Sequence, residues 1–201
     1  MNDPTAHAPV DLGAQTRIVA ALVAGVGDDR LADPTPCPKL AVRNLLGHLL
    51  GLAVAFRDAA RKDLGPTTDT SPDSVVPDIG PGWREELPRA LDELAEAWRD
   101  PAALTGETRA GGVTLPGPVA LAVAVDELVI HGWDLARATG QPYAPDPAAL
   151  DVTHDFVRAV AAEPEPSPGL FGPAVPVPPD APLLDRVVGL SGRDPEWGAH
   201  L

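Results

Sequence analysis

The stretch PVALAVAVDELVIHGWDLARAT, residues 118–139, decides the fold. VALAVAV alternates in size, which admits a strand. Its alanines, the length of the apolar run and its unbroken passage into HGWDLARA favour a helix instead. Apolar almost all round, such a helix is buried. Yet it carries Glu127 and His131, four residues apart and therefore on one face. Ala120, Val123 and Ala124 continue that face toward the N-terminus, so both polar groups extend a core-facing surface. A buried carboxylate costs several kcal/mol unless it is paired or bound to a metal.

Outward from this helix, other segments show helical spacing. Residues 10–26 place Val10, Ile18, Val19, Leu22, Val23 and Val26 roughly three or four apart. Residues 41–62 carry one stripe from Val42 through Leu45, Leu46 and Leu49 to Phe56. Residues 83–99 set Leu87, Leu91, Leu94 and Trp98 against an acidic face, and 147–162 form a weaker amphipathic stretch. A short helix is expected over 182–190. The breaks between are rich in proline and glycine, at 28–39, 63–82 and 101–117. GETRAGGVTLPG, 106–117, suits a small hairpin. Eight prolines fall within 164–182, which makes that segment an extended strap. Leu170, Phe171, Val175 and Val177 imply that the strap packs on the body. The sum is an all-α domain with four main helices, a four-helix bundle with a C-terminal strap. One domain over 1–201 is expected, with 1–9 as a flexible tail.

The composition narrows the partners. A formal charge of −14 argues against nucleic acid or an anionic membrane surface as partner, because those interfaces need clustered cations. No stretch reaches the ~20 apolar residues of a membrane span. The first residues do not read as a signal peptide. A single cysteine, Cys37, allows no internal disulfide, which fits a reducing compartment. A cytoplasmic protein, monomer or homodimer, is expected.

Three side chains are candidates for chemistry. His48 lies in VRNLLGHLLG at the edge of the second helix's stripe, beside Leu45 and Leu52. Together with Glu127 and His131 it offers two imidazoles and a carboxylate from facing helices, the donor set of a divalent site with open positions. The plainer alternatives are that Glu127 and His131 pair with each other or with an arginine, and that His48 is a hydrogen-bonded histidine at the core edge. Asp134, one turn beyond His131, could orient an imidazole, or form a surface pair with Arg137. His7, His154 and His200 have no comparable context. Cys37, between Pro36 and Pro38 with no base in pattern, reads as structural rather than nucleophilic.

LVIHGWDLARATGQ (128–141), PTPCP (34–38) followed by VRNLLGHLLG (42–51), and FGPAVPVPPDAPLLDRVVGLSGRDPEW (171–197) together resemble the DinB/YfiT-like superfamily. The branch they resemble is the actinobacterial one, related to the metal-binding domain of mycothiol-dependent maleylpyruvate isomerase. The resemblance spans roughly residues 10–197. It implies a DinB-like four-helix bundle with a metal, zinc before nickel or iron, held by His48, Glu127 and His131. It also implies a low-molecular-weight thiol, mycothiol, as cosubstrate and a small electrophile as its partner. Lys39-Leu40 stands where relatives often carry Gly-Trp. Transfer of the thiol is expected ahead of isomerisation, since 201 residues leave no room for the isomerase's additional C-terminal domain. A non-catalytic metal-binding or sensing module and a hydrolase using bound water are the alternatives.

Overall fold

The computed structural model describes residues 10–71, 76–162 and 171–198. The expected tail, 1–9, and Leu170 with the first part of the strap lie outside them. The described elements are α1 (Gly13–Ala24), α2 (Val42–Arg61), a single turn α3 (Pro66–Asp69), α4 (Trp83–Ala97), β1 (Glu107–Ala110), β2 (Val113–Pro116), α5 (Gly117–Thr139), α6 (Pro147–Ala161) and α7 (Leu183–Leu190).

Helices α1, α4, α2 and α5 close a ring in that order, each packing on the next and α5 returning to α1. The interior is filled by Leu45, Leu46 and Leu49 of α2, Leu87, Leu91 and Leu94 of α4, Val19 of α1 and Leu128 of α5, all fully buried. These are the residues whose three- and four-residue spacing marks the helices in sequence. Helix α5 serves a second, smaller core as well. On its outer side Ile130 meets Val157 of α6 and Val187 of α7, with Phe156 and Phe171 packed around them. Covered on both sides, α5 needs apolar residues all round.

The hairpin forms as expected, with β1 and β2 antiparallel and Ala110 opposite Val113. Gly111 and Gly112 make the two-residue turn at φ 59° and 80°, a backbone that side chains rarely tolerate. Thr108 anchors the hairpin to the bundle by donating to the Ala59 carbonyl at 2.6 Å. The strap docks on α7. Val175 N–H donates to the Gly189 carbonyl, and a Cβ on Gly189 would run into Val177 Cγ2.

Two local features differ from the sequence expectation. Helix α1 begins at Gly13 rather than at residue 10, where the Asp11 carboxylate accepts from the Gly13 N–H. Its inner face also includes Gln15, fully buried because its amide donates to the Leu128 carbonyl and the Tyr143 hydroxyl. Its Oε1 in turn accepts from Asp146 N–H. The break at 63–82 contains α3, which Pro66 starts at its first position and Thr68 closes by accepting from Gly65 N–H. Among the described residues no helix is long and apolar enough to cross a membrane.

Candidate metal centre

Helices α2 and α5 lie side by side, and their shared face carries the candidate side chains. His48 comes from the second turn of α2; Glu127 and His131 come from successive turns of α5. The Glu127 Oε2 atom is 3.3 Å from His48 Nε2 and 3.1 Å from His131 Nε2. One donor atom from each of the three lies within 4.8 Å of the others. The imidazole rings meet edge to face, with centroids 4.7 Å apart. The structure thus brings His48, Glu127 and His131 to one point.

Beneath them lies Asp134, fully buried. Its Oδ2 is 2.9 Å from His131 Nδ1. Arg193, from the turn after α7, grips the same carboxylate, with Nε 3.1 Å from Oδ1 and Nη2 3.0 Å from Oδ2. Asp134 makes no surface pair with Arg137, whose guanidinium instead donates to the carbonyls of Pro195 and Trp197.

This arrangement sets the tautomer of His131. Its Nδ1–H donates to Asp134, so in the neutral ring Nε2 bears a lone pair aimed at Glu127 Oε2. A lone pair and a carboxylate oxygen 3.1 Å apart repel unless a cation lies between them. In the metal-free protein that cation is a proton. Burial works against a charge on His131, but the hydrogen bonds to Asp134 and Glu127 and their negative charges prevail, raising it to about 9. Burial likewise disfavours charge on Glu127, and the bonds to His131 and His48 overcome it and hold its carboxyl well below the usual range. A divalent ion answers the same electrostatic need. Atoms that share one tetrahedral zinc at 2.0–2.1 Å lie about 3.3 Å apart, close to the separation of Glu127 Oε2 from each imidazole nitrogen. Two nitrogens, a carboxylate oxygen and an outer carboxylate behind one imidazole suit a divalent transition metal by donor type as well.

A cavity of about 30 Å³ opens beside the cluster, lined by Asp126, Glu127, Ile130, His131, Phe171 and Arg193. It admits a water-sized group. Asp126 is almost fully buried, and its Oδ1 has no hydrogen-bond partner among the described residues. Burial, reinforced by the charge on Glu127, pushes its carboxyl well up, toward the neutral form. Burial, and then the Asp134 carboxylate, push the Cys37 thiol up. That is the opposite of activation.

Sequence reasoning did not single out Arg193, nor give Asp126 a role. Arg193 reaches the site from 59 residues beyond Asp134, with no periodicity to connect the two. Asp126 stands next to Glu127, where helical geometry would turn it about 100° away. The apolar residues on that side of α5 were the available signal that it too is enclosed.

The helical bundle that brings two histidines and a glutamate together between neighbouring helices is a DinB-like helical fold. The family described as the mycothiol maleylpyruvate isomerase N-terminal domain matches residues 12–136, well over half of the chain, and the protein belongs to it. Two uncharacterized proteins of Mycobacterium tuberculosis, MT0763 and Rv0738, are each 27% identical over 176 residues, covering 87% of this chain and 91% of theirs. Among solved structures, the mycothiol-dependent maleylpyruvate isomerase superposes with a TM-score of 0.53 at 16% identity. The match covers 73% of this chain and 66% of that one, just under two thirds of its length, and the likeness is one of fold.

Proposed function

We propose that the protein is a divalent-metal enzyme that activates a low-molecular-weight thiol, mycothiol by family, for transfer to a small electrophile or for its isomerisation. The observation that carries this reading is the convergence of His48 Nε2 and His131 Nε2 on Glu127 Oε2, with the far nitrogen of His131 already committed to Asp134. Zinc is the ion this donor set favours, with nickel or iron as the nearest alternatives. When bound, the ion supplies Lewis acidity that holds a thiol sulfur as thiolate at neutral pH.

The chain's own residues define the rest. His48 Nε2, one Glu127 carboxylate oxygen and His131 Nε2, once its proton is displaced, would hold the ion. Asp134 fixes the ring of His131. The cavity between Glu127, His131, Asp126 and Phe171 has room for one small head group, such as a sulfur atom or a water. The body of a thiol and its electrophile must therefore lie outside it. Cys37, with its thiol pushed up, takes no nucleophilic part. The chain is read as one functional unit, and a cytoplasmic location fits the chemistry.

The test is turnover of a bimane or enone electrophile by tag-free, zinc-loaded protein with mycothiol, with glutathione and with no thiol. Turnover is expected to need both metal and thiol, to favour mycothiol, to stop with chelator and to return with zinc. Cys37→Ser should keep most of the activity. Equal turnover by metal-free protein contradicts the proposal. Hydrolysis of an ester or amide without thiol moves the assignment to a hydrolase that uses bound water.

A further inference from the structure

We propose that Arg193 is a positioning residue of the metal centre, setting His131 through Asp134, and that the C-terminal segment 171–198 thereby forms part of the site. The inference rests on the reading that His48, Glu127 and His131 hold a metal. It concerns residues beyond 136, where the family match ends.

Asp134 has no exposure and lies directly behind His131. A buried carboxylate with one imidazole N–H as its sole partner would be poorly compensated. Arg193 supplies the remainder in fork geometry, its Nε and Nη2 spanning both carboxylate oxygens. With both oxygens tied down, the Asp134 carboxylate cannot rotate, so His131 is held with Nε2 toward Glu127 and His48.

Arg193 is itself held on every side. Its Nη1 donates to the Ser191 carbonyl. Gly192, at φ 80°, lets the chain turn there, and a Cβ on it would fall 2.8 Å from the backbone of Gly172 in the strap. Past Arg193, Arg137 of α5 holds the carbonyls of Pro195 and Trp197. The segment is therefore fastened to the ligand-bearing helix on the far side of Arg193 and to the strap on the near side. Phe171 and Arg193 also form one wall of the cavity beside Glu127 and His131. The tail thus both braces a ligand and encloses the position next to it.

The experiment is zinc affinity, measured by competition with a chromophoric chelator, for the tag-free full chain, Arg193→Gln, Arg193→Lys, Asp134→Asn and the double variant Arg193→Gln/Asp134→Asn. The visible spectrum of cobalt-substituted protein and the helical signal are recorded for each. Arg193→Gln is expected to weaken zinc binding about 10-fold or more, the scale on which partners of metal ligands act, and to shift the cobalt bands while helicity stays. Arg193→Lys should recover only part, because an ammonium offers a point charge and no fork. The double variant should bind about as Asp134→Asn does, since the two residues act along one line. Wild-type affinity and an unchanged cobalt spectrum in Arg193→Gln overturn the inference. So does full additivity in the double variant. If Arg193→Gln does not fold, Arg193→Lys decides: weakened binding supports the role and undiminished binding overturns it. A wild-type chain that takes up no zinc removes the metal reading itself, and this inference with it.

Discussion

Between His131 Nε2 and Glu127 Oε2 there is 3.1 Å, and the other nitrogen of His131 already donates to Asp134. Something positive must occupy that gap, and the choice between a proton and a metal ion has measurable consequences. With His131 raised to about 9 in the metal-free protein, zinc uptake at pH 7 should release about one proton per ion from this ring. Calorimetry in buffers of different ionisation enthalpy should show that release, and it should vanish well above pH 9. A heat independent of buffer at pH 7 would mean that His131 is not displaced by metal.

The same residues give the stability of the chelator-treated protein its pH dependence. His131 is raised from 6.5, so its contribution is complete below 6.5 and is lost as pH rises through about 9. Glu127 is lowered from 4.5, so its contribution is present above 4.5 and is lost as pH falls toward its depressed value. Thermal melts should therefore be highest between about pH 4.5 and 6.5 and decline on both sides. A melting temperature that climbs from pH 6.5 to 9 would contradict this cluster.

At the scale of elements, the main helices were readable because each buries a single stripe. Leu45, Leu46 and Leu49 or Leu87, Leu91 and Leu94 need no tertiary knowledge to be placed on one face. The hairpin was readable from Gly111-Gly112 between two short extended runs. Less readable was what tertiary pairing alone decides. Gln15 is core because the Leu128 carbonyl, the Tyr143 hydroxyl and the Asp146 N–H surround it, and no local pattern announces partners that far along the chain. His48, Glu127 and His131 could be proposed as a set from residue type and helical face. Arg193 could not, because the strap and α7 carry it back to α5 by a path that periodicity does not encode. That path makes Gly189 critical. Gly189→Ala places a methyl against Val177 and 2.8 Å from the Val175 carbonyl, and overpacking of this kind costs about 1–3 kcal/mol. A melting temperature lowered by several degrees is expected, with amide exchange rising first in 175–190. Unchanged stability would show that the strap yields freely there.

For the molecule as a whole, the large apolar interior of the bundle, not the site, carries the fold. His48→Ala, Glu127→Ala and His131→Ala should therefore each weaken metal binding strongly and leave the helical signal nearly unchanged, with Asp134→Asn milder. The central claim is that His48, Glu127 and His131 hold one divalent ion. The measurement that bears on it most directly is elemental analysis of tag-free protein prepared without chelator, wild type beside Glu127→Ala, before and after incubation with zinc. About one ion per chain in the wild type and almost none in an equally helical Glu127→Ala is the expected result. A wild-type chain that is empty and refuses zinc, nickel and iron, or a Glu127→Ala chain that retains a full complement, would contradict it.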